Sequence, residues 1–316
     1  QVVKTLSSKA AIPALEGIYI EAKGDNCKLI GGNGQLTIEA SFKADVKEEG
    51  FALVPGRIFS DIIRRCYEGD VEILTDTSMT IISGKSRATI GMMDADSYPM
   101  TELSGNSWEF EMENTELKEA VKGSIFCAAG ENFSKPILTG VYIEAEDDFI
   151  SFVSIDGCRM AIKRASSKGE KGKLVIPAKA LDEISKSIGD DGSSIITVYE
   201  KYVKVVWKDV SIISTLFDEK EYVNFKDILP KEHKVKIKVE KSKLFSSIER
   251  GSILSRVKQN NLLVLNIDKD LMTITARSDI GELYDEIDIW QEGEPLRIGF
   301  NGSFLSDCFR NISDEF

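Results

Sequence analysis

Two pairs of carboxylates lie close enough in the sequence to share a metal ion, Asp94 with Asp96 and Asp190 with Asp191. Such pairs support metal-assisted hydrolysis when a histidine or a phosphate-cradling glycine loop accompanies them. Neither accompanies them here. Both pairs sit in turn-like segments, where aspartate serves the backbone without any catalytic role. The single histidine, His233, falls in the charged stretch PKEHKVKIK and reads as solvated, which leaves no His-based triad. The cysteines are Cys27, Cys66, Cys127, Cys158 and Cys308, and none is paired at short spacing. That pattern indicates neither a zinc site nor a disulfide framework, and it fits reduced thiols in a cytoplasmic protein. No catalytic residue, metal or cofactor is expected.

The remaining chemistry is recognition. Net charge is -12, which on its face argues against nucleic acid, but the distribution matters more than the total. Cations gather on candidate helices: Arg64 and Arg65, Lys118 and Lys122, Lys179 and Lys186, then Lys241, Lys243 and Arg250. Acidic residues concentrate elsewhere, in KEEG, EAEDD and DEKE. Taken alone, these charges also fit ordinary solvated helix faces.

The elements that carry these residues repeat. LEGIYIEAKGDN from Leu15 returns as LTGVYIEAEDDF from Leu138, a separation of 123 residues. A weaker third version, NNLLVLNI, begins at Asn260. FALVPGRIFSDIIRRC, KLVIPAKALDEISKSI and PLRIGFNGSFLSDCFRNI form a second family; aligning Val54, Ile176 and Phe300 gives separations of 122 and 124 residues. This period is too long for a solenoid and right for whole domains. In each copy of the second family a short apolar strand leads through Pro55-Gly56, Pro177-Ala178 or Asn301-Gly302 into an amphipathic helix. Ile58, Phe59, Ile62 and Ile63 mark the apolar face of the first such helix; Ala180, Leu181 and Ile184 mark the second.

WEFEMENTELKEAVKGSIFCAA and KVKIKVEKSKLFSSIERGSIL each predict a strand, a turn and a helix that open a new unit. The stretches from Val71 and from Ile195 predict three-strand meanders. The fold class is therefore α+β, with three similar domains at 1–106, 107–230 and 231–316, each a duplicated βαβββ-like unit. Three full periods would need about 370 residues against the 316 present, so the first and last domains are expected to be short at their outer ends. No apolar run is long enough for a transmembrane helix, and the first residues do not form a signal peptide.

The ordered segments PALEGIYIEA, VPGRIFSDIIR, DADSYP, ILTGVYIEA, SIDGCRMAI, VIPAKAL and IGFNGSF resemble the bacterial sliding clamps, the beta subunits of DNA polymerase III, over essentially the whole chain. The resemblance implies a non-catalytic processivity factor in which helices line the inside and sheets form the outside. It implies a head-to-tail homodimeric ring around double-stranded DNA, held without regard to sequence. It also implies that the replicative polymerase and the clamp loader dock through short peptides.

Residue by residue, the resemblance turns the helical cations above into DNA-facing groups and adds Lys9 and Asn132 from loops. It places the dimer interface at Ala88 and Ile90 on one side and at Ile253 and Leu254 on the other; apolar pairs of this kind also fit plain core packing. It assigns a partner-peptide groove to Leu138, Ile155, Gly157, Arg159, Met160, Val223, Ile228, Asn301 and Phe304. Alone, SIDGCRM also reads as a strand end and turn. Ile155 stands where the family usually has threonine, Cys158 where histidine or a larger residue is commoner, and Val223 where proline is usual. The family's C-terminal tail, which completes the groove, is not part of this sequence. A clamp-like protein-binding module that does not close a ring is the alternative.

Overall fold

The computed structural model describes residues 1–6, 11–67, 69–255, 261–312 and 315. The first repeat holds β1 (Gly17–Lys23), β2 (Asn26–Gly32), β3 (Leu36–Lys43), β4 (Gly50–Pro55), α1 (Gly56–Ile63), β5 (Val71–Thr75), β6 (Ser78–Ser83) and β7 (Ser86–Gly91). The second holds β8 (Trp108–Glu113), α2 (Asn114–Ile125), β9 (Gly140–Ala145), β10 (Phe149–Ile155), β11 (Met160–Ser166), β12 (Lys168–Gly169), β13 (Gly172–Pro177), α3 (Ala178–Ser187), β14 (Ser193–Val198), β15 (Tyr202–Trp207) and β16 (Val210–Thr215). The third holds β17 (Val235–Lys238), α4 (Lys241–Ser255), β18 (Leu262–Asp268), β19 (Leu271–Ser278), β20 (Gly281–Asp288), β21 (Trp290–Gly293), β22 (Leu296–Asn301) and α5 (Gly302–Asn311). The second repeat displays the βαβββ unit twice, with β12 as a short addition between the copies.

Two compact units divide the chain, 1–222 and 223–316. In the first unit a nine-stranded sheet runs β12-β8-β14-β15-β16-β3-β2-β1-β4. It joins the first and second repeats through the antiparallel pairing of β16 with β3, from Val210↔Ala40 to Ser214↔Leu36. A four-stranded sheet, β11-β10-β9-β13, and a three-stranded one, β5-β6-β7, complete that unit. The second unit contains β20-β19-β18-β22 and the pair β17-β21.

Period-two alternation explains the strands. On β8 the apolar Phe110 and Met112 point inward while Glu109, Glu111 and Glu113 are exposed. The core of the first unit gathers Ile38, Val54, Ala120, Phe152 and Ile184, all fully buried. Leu244, Ile248, Leu263, Met272 and Ile274 form the core of the second. The helices start as the repeated grammar implies, with Pro55 and Pro177 at the N-cap rather than inside the first turn. The Asn301 side chain accepts a hydrogen bond from the Ser303 N–H at 2.9 Å and caps α5.

Ile58 departs from expectation. It is exposed rather than part of the apolar face, and Phe59 alone of the four residues on α1 is fully buried. Periodicity marks a stripe on a helix but does not say how wide a stripe its neighbours cover.

The repeat extends to tertiary detail. Gly17 and Gly140 open β1 and β9 at equivalent places. A Cβ on Gly17 would sit 2.7 Å from Leu53 Cδ1, and one on Gly140 would sit 2.7 Å from Val175 Cγ1. Tyr19 packs on Tyr98 with ring centroids 5.5 Å apart, and Tyr142 stacks on Tyr222 at 5.2 Å. Asp94 and Asp218, four residues before the second tyrosine of each pair, cap short 3-10 turns by accepting from the N–H groups of Asp96 and Lys220. The aspartate pair 94/96 is thus a backbone device. Where the first repeat stacks Phe51 on Tyr19, the second places Lys173, which pairs with the buried Glu144 at 3.4 Å.

Candidate nucleic-acid and peptide interfaces

Lys118 and Lys122 are four residues apart on α2 and share a face. Lys179 stands in the first turn of α3, and Lys186 follows two turns later. Arg64 and Arg65 lie just beyond α1. Lys241, Lys243 and Arg250 lie on α4, in the second unit. Asn132 is exposed in the loop after α2, and Lys9 lies outside the described residues. The clustering on helices is therefore present within each unit.

Most of these cations already have a carboxylate partner. Lys118 Nζ lies 2.5 Å from Asp190 Oδ1. Lys179 pairs with Glu131, and Lys186 with Asp182. Arg65 reaches Asp61 at 3.3 Å, Lys243 reaches Glu240 at 3.0 Å and Arg250 reaches Asp285 at 2.6 Å. Hydrogen bonds that Lys186 and Lys243 donate to the carboxylates of Asp182 and Glu240 hold their pKa above the usual lysine range. Lys241 donates to the carbonyl of Ile312. Among the described residues, Arg64 and Lys122 show no carboxylate partner. Sequence reasoning placed the lysines but missed these partners. The i,i+4 spacings Asp61–Arg65 and Asp182–Lys186 were the signal available for two of them.

The expected groove residues divide between the two units. In the first, Ile155 and Met160 face each other as the last pair of the β10–β11 hairpin. The turn between them is built around Asp156. Its Oδ1 accepts from the N–H groups of Cys158 and Arg159 at 2.9 and 3.0 Å, and its Oδ2 accepts from Arg159 Nε at 2.9 Å. Arg159 Nη2 donates to the Phe126 carbonyl at 3.0 Å, and the guanidinium lies over the Phe126 ring. Gly157 has φ +89°, a conformation open to glycine and costly for other residues. Leu138 is buried, and its carbonyl accepts from Ala129 N–H at 2.9 Å. Ile155 and Met160 thus form a ledge at the end of a hairpin, beside an arginine stem fixed by Asp156 and the Phe126 carbonyl; Leu138, like Ile155, is buried.

Sequence reasoning missed Asp156 and Phe126 as the supports of Arg159. The Asp-Gly turn with arginine three residues on carried that information. In the second unit, Val223 and Ile228 are exposed, Asn301 is the α5 cap, and Phe304 is half-buried in the first turn of α5.

At the expected dimer edges, β7 pairs only with β6 and β20 only with β19 among the described strands. Ala88 on β7 is partly exposed, but Ile90 is buried in the core at 8% exposure. The two residues share a strand face, yet within the single chain the core covers Ile90. On α4, Ile253 is 68% exposed and Leu254 is partly covered. Such exposure of a large aliphatic side chain is not core packing.

Three family models match the chain in order. The DNA polymerase III beta subunit N-terminal domain matches residues 1–102, the central domain residues 111–222 and the C-terminal domain residues 226–315. A beta sliding clamp of Halalkalibacterium halodurans is 28% identical, the match covering 99% of this chain and 87% of that protein. One from Staphylococcus aureus is 26% identical over 99% of this chain and 86% of that protein. The crystal structure of the DNA polymerase sliding clamp from Bacillus subtilis superposes with a TM-score of 0.93 at 27% identity, covering 99% of this chain and 87% of that one. A putative DNA polymerase III beta subunit from Eubacterium rectale gives 0.92 at 28% identity, with the same coverage. Matched by all three domain models across nearly its whole length, the chain belongs to the DNA polymerase III beta subunit family.

Proposed function

We propose that this chain is a DNA sliding clamp, in which three arcs at 1–106, 107–230 and 231–316 join head to tail with a second copy to encircle duplex DNA and tether the replicative polymerase. The observation that carries the reading is the ordered match of the three domain models together with cations on a helix, or just beyond its end, in every repeat. Its work is topological rather than catalytic, carried out in the cytoplasm. Among the described residues no helix is long and apolar enough to cross a membrane.

Ring closure is supported by two open sheet edges of opposite charge. The β7 edge carries Arg87 with Lys85 just before it; the β20 edge carries Glu282, Glu286 and Asp288. Beside β7 lies a hollow of about 470 Å³ lined by Ile62, Arg65, Cys66, Tyr67 and Ala88, a fit for the exposed Ile253 of a second copy. Strand addition across such edges supplies main-chain hydrogen bonds, and complementary charge fixes the orientation. Partner peptides from the polymerase and the clamp loader would seat an apolar anchor on Leu138, Ile155 and Met160 beside Arg159.

Light scattering across a concentration series tests the reading. A mass of two chains, with retention on circular but not linearised duplex, is expected. A stable single-chain mass at high concentration would instead favour a clamp-like module that binds partners without closing.

A further inference from the structure

Lys118 and Lys179 are candidate phosphate contacts, and their ion pairs cross between helices. α2 packs against α3. Lys118, early on α2, is held by Asp190 from the loop after α3. Lys179, in the first turn of α3, is held by Glu131 from the loop after α2. Each lysine is therefore neutralised by the loop that follows the other helix. The carboxylates are not core groups, since the side chains of Glu131 and Asp190 are 66% and 85% exposed.

Their positions are nonetheless built. The fully buried Asn114 donates from Nδ2 to the Asp191 carbonyl at 2.9 Å, and its own N–H donates to the Gly192 carbonyl at 2.9 Å. Ser194 Oγ in turn donates to Asn114 Oδ1 at 2.6 Å. Trp207 Nε1 also donates to the Asp191 carbonyl at 3.1 Å, and Lys208 pins the Asp191 carboxylate at 2.7 Å. Asp190 is thus presented toward Lys118 by a loop held at the two residues that follow it. On the other loop, Phe133 N–H donates to the Gly130 carbonyl at 2.9 Å, and the Ala129 N–H bond to Leu138 holds its base.

We propose that Glu131 and Asp190 act as built-in counterions that set how firmly the α2–α3 face holds duplex DNA, so that a phosphate binds Lys118 or Lys179 only by displacing a carboxylate. The proposal rests on the sliding-clamp reading. Phosphate affinity normally comes from releasing condensed cations when a free lysine arrives. A lysine already matched to a fixed carboxylate gains less, because the exposed pair must be given up in exchange. A ring held by topology benefits from such a weak grip, since strong phosphate binding would oppose sliding. The two carboxylates are positioning and attenuating groups, and Lys122 remains the uncompensated contact on the same face.

The test is fluorescence anisotropy of the full chain with a short labelled duplex over a salt series. Joint Glu131→Gln and Asp190→Asn substitution is expected to tighten binding several-fold at low salt. It should also steepen the dependence of log affinity on log salt by about 0.9 for each freed lysine. Adding Lys118→Ala to Asp190→Asn should remove the gain due to Asp190, which separates attenuation from a general change in net charge. If Lys122→Ala weakens binding while the double neutralisation changes neither affinity nor slope, the counterion proposal fails and the DNA-facing reading stands. If none of the variants alters binding, both fail.

Discussion

Asp156 gathers three donors around one carboxylate and so sets the shape of the turn at the proposed peptide ledge. Gly157 completes that turn at φ +89°, and a Cβ there would meet only the Phe133 ring edge at 3.7 Å. The constraint is conformational rather than steric. Gly157→Ala is therefore expected to cost about 1–3 kcal/mol of strain and to weaken binding of a clamp-binding peptide more than the fold. Calorimetric titration with such a peptide, beside a melting curve, would check this; unchanged affinity would count against the ledge. Tyr98 offers a second test at this scale. Burial, with a smaller contribution from Glu39, pushes its phenol up to about 12. Folding favours the neutral form, so the stability it supplies is complete below the ordinary tyrosine value of 10.0 and lost as pH rises through about 12. Tyr222 is raised for the same first reason, burial. Tyrosinate absorbance of these two residues should appear late and together with loss of tertiary structure. Much of the residue-scale chemistry was legible: Asp94 in a turn and Gly157 after Asp156 are local patterns. The fate of Ile90 was not, because burial of one residue on an edge strand depends on what the rest of the sheet covers.

Strands and helices were legible as elements because each repeat writes the same grammar, with alternation on β8 and a strand-to-helix turn at Pro55, Pro177 and Asn301. What the pattern left open was the width of the covered face, as Ile58 shows, and the carboxylate partners, which come from loops distant in sequence. Two predictions belong at this scale. Ile253→Asp places a charge on the most exposed aliphatic residue of α4 and should shift light-scattering mass toward a single chain, with thermal stability nearly unchanged because the residue is 68% exposed. A retained two-chain mass would remove α4 from the interface. Asn301→Ala removes the side-chain cap of α5 and should cost about 1 kcal/mol, read as a lower denaturation midpoint in the second unit, with melting of the first unit unaltered.

At the scale of the molecule, the threefold repeat was legible and the sharing of a sheet between two repeats was not, since no local signal says which edge strands of separate domains will pair. β16 and β3 make the first and second repeats one body. Ile38 and Ile212 face each other across that seam, at 0% and 1% exposure. Ile38→Ala is expected to cost about 2–5 kcal/mol and to lower hydrogen-exchange protection in β3 and β16 together. Loss confined to β3 would mean that the repeats open separately.

The same seam bears on how the protein is made. β3 is complete once Lys43 has been synthesised, but the strand that seals its edge ends at Thr215. For most of the time the chain spends emerging from a ribosome, β3 presents an unpaired edge with Ile38 beside it. An edge waiting that long for a distant partner is exposed to pairing with neighbouring nascent chains. Yield in the cell should therefore depend on crowding and on chaperone supply more steeply than the stability of the finished protein would imply.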